Sequence, residues 1–131
     1  MDVGGGTLSS GSIPTDDDFA QADAAMQHRD RGLSEVSSTI LDHFGSDGLH
    51  EFFIFFSEDH DLFIAYLFFN TQSDLITAEQ SGLTGKIKSS VANELERVGR
   101  GDNAALNIRF EVDTDENVKN EYDGDYYSRL R

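Results

Sequence analysis

The stretch His50-Glu-Phe-Phe-Ile-Phe-Phe-Ser-Glu-Asp-His-Asp-Leu-Phe-Ile-Ala-Tyr-Leu-Phe-Phe69 decides the fold, because it holds seven of the ten phenylalanines of the chain. An acidic turn, Ser57 to Asp61, separates two apolar runs at about 50–57 and 61–69, which predicts a β-hairpin. Successive side chains of a strand point to opposite faces. The first strand is apolar on both faces, with Phe52, Ile54 and Phe56 on one side and Phe53 and Phe55 on the other.

Because the hairpin is apolar on both faces, other parts of the protein must shield both faces from water. Antiparallel strands with one face in water alternate apolar and polar residues, and this hairpin does not. We therefore expect both faces to be covered, either by helices of the same chain or by a partner.

Apolar periodicity outside the hairpin predicts two main helices and one further strand. Helical spacing of apolar residues predicts helices over Leu33 to Phe44 and over Ser81 to Val98, each followed by a glycine. Strict alternation over Leu106 to Val112 predicts a half-buried edge strand.

Four other segments give weaker patterns. Thr71 to Asp74 suggests a turn into a third strand at Leu75 to Glu79, and Glu116 to Tyr122 a helical turn before an extended end. Residues 1–14 are rich in Gly, Ser and Thr and predict a flexible tail, and residues 15–28 begin like a short helix. The expected fold is a single α+β domain over residues 15–131, with an antiparallel sheet of three to four strands packed against two main helices.

Charge is the second informative property of the chain. There are 25 acidic and 10 basic residues, for a net charge of −15, and between Gly32 and Gly85 there is no Lys or Arg. Such a surface repels nucleic acid and anionic membranes. It predicts either solubility alone or a basic protein partner.

Composition also limits compartment and chemistry. With no cysteine the chain has no disulfide framework and no thiolate ligand or nucleophile. No signal peptide and no apolar run of membrane-spanning length is present, which predicts a cytoplasmic protein.

No motif assigns a cofactor, a metal or a catalytic set. Asp113 to Gly124 begins like a calcium loop but has Val118 where the sharp turn needs glycine and Gly124 where a bidentate acid is needed. The four histidines match no metal-ligand spacing. We therefore predict no metal, no cofactor and no enzymatic activity.

The acidic, tyrosine-containing C-terminal end is the best candidate for a binding surface. Tyrosines offer large contact areas with a polar tip, and carboxylates steer a basic partner. The alternative is that the tyrosines pack under the sheet while the acids are hydrated. The predicted partner-binding residues are Glu111, Asp113, Asp115, Glu116, Glu121, Tyr122, Asp123, Asp125, Tyr126 and Tyr127.

Several of these segments together resemble a known class of proteins. The Phe-rich hairpin, the helix at Leu83 to Val98, the strand at Leu106 to Val112 and the end Asn120-Glu-Tyr-Asp-Gly-Asp-Tyr-Tyr127 resemble the small acidic immunity proteins of bacterial polymorphic toxin systems. The resemblance covers roughly residues 33–131 and rests on size, charge and element order. It implies a non-enzymatic inhibitor that sits on a cognate basic toxin.

The sequence thus predicts a non-catalytic acidic protein that binds a basic protein partner. The alternative is a structural or assembly module that forms a homodimer through its Phe-rich sheet. Neither predicted function involves binding to nucleic acid or to a membrane.

Overall fold

A computed structural model describes residues 29–130. The helices and strands given below all lie in one compact unit that begins at Arg31. It is an α+β fold, as predicted. The elements in chain order are α1 (Leu33–Phe44), β1 (Leu49–Ser57), β2 (Leu62–Phe69), α2 (Gln72–Ser81), α3 (Leu83–Arg97), β3 (Ile108–Thr114), α4 (Asp115–Tyr122) and α5 (Tyr126–Arg129). The predicted tail over residues 1–14 and the candidate helix over 15–28 lie outside the described residues.

The three strands form one sheet in the order β1-β2-β3. The predicted hairpin is confirmed: β1 and β2 pair antiparallel, with Ser57 opposite Leu62 beside the turn. The pairing of β2 with β3 is parallel, from Phe63 opposite Ile108 to Phe69 opposite Thr114, so the sheet is mixed. Parallel neighbours need a long crossover, which α2 and α3 supply between β2 and β3.

The predicted strand at Leu75 to Glu79 is wrong, because this segment lies within helix α2. The Thr71 hydroxyl accepts a hydrogen bond from the Asp74 backbone N–H at 3.1 Å, which caps the helix rather than forming a turn. Leu75 and Ala78, three residues apart, are both buried, and Gly82 ends the helix with a φ of 83°. Residues 29–130 therefore contain three helices of ten residues or more, where the sequence predicted two main helices.

Helices α1, α2 and α3 cover one face of the sheet, here called the helix face. Their apolar side chains meet the inward side chains of the strands in one continuous cluster, which includes Val36, Ile40, Phe52, Ile54, Phe63, Leu67, Phe69, Ile87, Val91 and Leu95. Each of these side chains is at most 6% exposed, and burying one stabilises the fold by roughly 1.5–3 kcal/mol. No helix within residues 29–130 has the length and apolar character needed to cross a membrane.

The second face of the sheet, here called the tail face, is covered by the C-terminal helices. Phe68 and Tyr66 are buried there together with Val118 of α4, and Tyr126 of α5 packs against them. The cover lies over the end of the sheet where β3 finishes. Toward the hairpin turn, Phe55 of β1 keeps 45% of its surface exposed.

The start of α1 is fixed against the end of α3. Gly32 has a φ of 79°, and a Cβ on it would lie 2.8 Å from Cγ2 of Val98, so only glycine fits this approach. The Arg31 guanidinium donates to the backbone carbonyls of Val98 and Gly99, at 3.1 and 3.2 Å. These contacts hold the residues just before α1 against the residues just after α3.

Candidate partner-binding surface at the C-terminal end

Most of the predicted surface lies after the point where β3 passes directly into α4. Thr114 is buried, and its hydroxyl caps α4 by accepting from the Asn117 backbone N–H at 3.0 Å. Asp115 and Glu116 occupy the first turn, where the positive end of the helix dipole favours carboxylates. The predicted helical turn at Glu116 to Tyr122 is thus a helix that starts one residue earlier.

Asp113 anchors the far end of the chain to the sheet. Its carboxylate accepts from Nε of Arg129 at 2.6 Å and from Nδ2 of Asn117 at 2.9 Å. The Arg129 guanidinium also lies over the rings of Tyr66 and Phe68, 5.8 and 5.9 Å from their centroids. Both partners of the ion pair are largely shielded from water, so the pair fixes the position of α5.

Asp115 forms a second tie between α4 and α5. Its carboxylate accepts from the Tyr126 hydroxyl at 2.5 Å and pairs with Nζ of Lys119 at 2.9 Å, and Nε2 of His50 lies 3.7 Å away. The hydrogen bond from Lys119, followed by that from Tyr126, holds the pKa of the Asp115 carboxyl below its ordinary value. Burial, and then the bond to Asp115, raises the pKa of the Tyr126 phenol. Near neutral pH the tie is therefore a neutral phenol donating to a carboxylate.

The predicted tyrosines have different surroundings. The Tyr126 ring packs edge-on against Phe68, with centroids 4.8 Å apart, and lies 5.8 Å from Phe53. Tyr122 packs against the same apolar cluster. Tyr127, the next residue after Tyr126, is 69% exposed.

Glu116 links two helices that are far apart in the sequence. Its carboxylate accepts from the Gln72 backbone N–H at 2.9 Å, at the start of α2, and its own N–H donates to the Asn70 carbonyl at 3.0 Å. The side chain remains exposed while serving this role. Glu111, on β3, lies 3.5 Å from Arg109 in an exposed ion pair.

The remaining acids lie around the two short helices. Asp123 ends α4 with a φ of 54°, and the Asp125 carboxylate begins α5 by accepting from the Tyr127 N–H at 3.1 Å and the Ser128 hydroxyl at 2.8 Å. Glu121 lies on the exposed side of α4. The segment after Tyr122 is therefore not the extended end that the sequence predicted.

The structure divides the predicted surface into two groups. The anchor group, Asp113, Asp115, Tyr122 and Tyr126, packs on the sheet or ties the helices together. The exposed group, Glu121, Asp123, Asp125 and Tyr127, lies within seven consecutive residues and faces solvent. Glu111 and Glu116 belong to neither group: Glu111 is partly buried and pairs with Arg109 on β3, and Glu116 is exposed but joins α4 to the start of α2.

Sequence reasoning missed the partners of the anchor group. Asn117 and Lys119 each follow their carboxylate by four residues, a helical spacing that could have indicated both contacts. Arg129 and His50 carry no such signal, because they reach Asp113 and Asp115 only through the fold.

Comparisons with known proteins do not assign this arrangement. No family model, no curated protein and no solved structure matches the chain at a significant level. Within residues 29–130 no group of three or more His, Asp or Glu side chains is placed to hold a metal ion.

Proposed function

We propose that this chain is a non-catalytic binding protein that engages a basic protein partner through the exposed group. The observation that supports this most is the contrast between adjacent tyrosines: Tyr126 is locked into the sheet while Tyr127 is 69% exposed beside exposed acids. An aromatic side chain among carboxylates suits a basic surface, because it adds contact area to electrostatic steering.

The anchor group supports this proposal by fixing the surface before a partner arrives. Two tethers, Asp113 with Arg129 and Asp115 with Tyr126, hold α4 and α5 against the sheet. A surface that is already ordered loses less conformational entropy on binding.

The charges around the exposed group favour a basic partner. Lys119 and Arg129 are the cations of residues 111–130, and each contacts a carboxylate of the anchor group. The exposed group thus adds to a chain whose net charge is already −15. Long-range attraction would speed association with a basic protein and weaken as salt is added.

We propose a toxin as the basic partner. The resemblance to small acidic immunity proteins suggests a toxin with a basic surface, such as a nuclease, which this chain would inhibit in the bacterial cytoplasm. Blocking such a site needs no catalytic residue in this chain.

The test is capture on the immobilised full chain, followed by affinity measurements with each purified partner. We expect a basic protein whose affinity falls steeply with NaCl. The triple variant Glu121→Gln, Asp123→Asn and Tyr127→Ala should lower that affinity at least about tenfold. Asparagine at position 123 preserves the left-handed backbone that Asp123 adopts.

A matched control removes the same two charges elsewhere. Glu58→Gln with Asp59→Asn, both exposed in the hairpin turn, should leave affinity within about twofold. Equal losses in both variants would mean that net charge, rather than the exposed group, drives binding. Capture of no basic protein, or capture insensitive to salt, would overturn the proposal.

A further inference from the structure

We draw no further inference here: the strongest candidate, the open hollow between the end of α1 and the first turns of α3 that is lined by His43, Lys86 and Ser89, rests on a helix N-terminus and exposed polar side chains, and nothing in the part of the chain that the structure describes points to a ligand there.

Discussion

The two faces of the sheet are covered by different means, although β2 is buried on both. On the helix face three helices supply a continuous apolar layer. On the tail face two short helices are held by polar tethers, Asp113 with Arg129 and Asp115 with Tyr126, over a small aromatic cluster. Phe69 and Phe68 are adjacent and almost fully buried, yet they point into these two different layers.

The difference shows how a short segment can cover an apolar sheet. Residues 115–130 contribute few apolar side chains, so ion pairs and hydrogen bonds hold the segment where packing alone would be weak. The same shortness leaves Phe55 uncovered at the hairpin end. The helix face should therefore resist perturbation as one unit, and the tail face should open locally.

The largest expected effect comes from the adjacent phenylalanines. Phe69→Ala should lower the free energy of unfolding by about 3–5 kcal/mol, because three packed helices cannot collapse into the cavity. Phe68→Ala should cost less, because α5 can shift toward the space. Urea denaturation of both variants measures the loss of unfolding free energy. An equal or larger loss for Phe68→Ala would contradict the expectation that the tail face adjusts more easily than the helix face.

The second-largest effect on stability is expected from the ion pair of Arg129 with Asp113, which holds α5 on the sheet. Arg129→Met keeps the aliphatic stem but removes the bond to Asp113, and it should cost about 1–3 kcal/mol. Hydrogen exchange should accelerate in residues 115–130 before the rest of the chain. The control is Arg109→Met, in an exposed pair with Glu111, where we expect less than about 0.5 kcal/mol. Equal losses of stability in the two variants would mean that the ion pair of Arg129 with Asp113 contributes no more than an exposed pair.

The tie between Tyr126 and Asp115 should give the tail face its pH dependence. Because the pKa of Asp115 is lowered in the folded chain, its contribution is present at neutral pH and is lost as pH falls below about 4. Because the pKa of Tyr126 is raised, its contribution is complete below about pH 10 and is lost as pH rises further.

Tyr126→Phe tests this directly. The variant should lose roughly 1–2 kcal/mol near neutral pH and show a smaller fall in stability at both pH extremes. Tyr127→Phe, at the exposed neighbouring position, should match the wild type throughout. Thermal unfolding across pH makes the comparison, and identical profiles for all three proteins would contradict a role for the tie.

The smallest effect is that of salt on the folded chain itself. Raising NaCl from about 0.1 M to about 1 M screens repulsion among the excess carboxylates and should stabilise the chain by less than about 1 kcal/mol. A lower urea midpoint at high salt would show that exposed pairs such as Arg97 with Glu35 outweigh that repulsion.

Local patterns predicted most of the elements and little of the candidate site. The hairpin, α1, α3 and the strand that includes Ile108 to Val112 follow from periodicity and from stop signals such as Gly45. The apolar pattern of Leu75 to Glu79 is too short to distinguish a strand from a helix, and the cap at Thr71 favours the helix. The sequence gives no signal that separates Tyr126 from Tyr127, because the two residues are identical and adjacent, and only the fold decides which of them packs on the sheet.

The sequence by itself determined the α+β class, the doubly apolar hairpin and the acidic character, because these depend on residue type and local spacing. The tertiary structure alone decided that β3 runs parallel to β2, and that Arg129 and Tyr126 reach Asp113 and Asp115. It also decided that Phe55 stays exposed while Phe68 is buried. These outcomes depend on which segments meet in space, and contacts between residues distant along the chain leave no periodic signal in a single sequence.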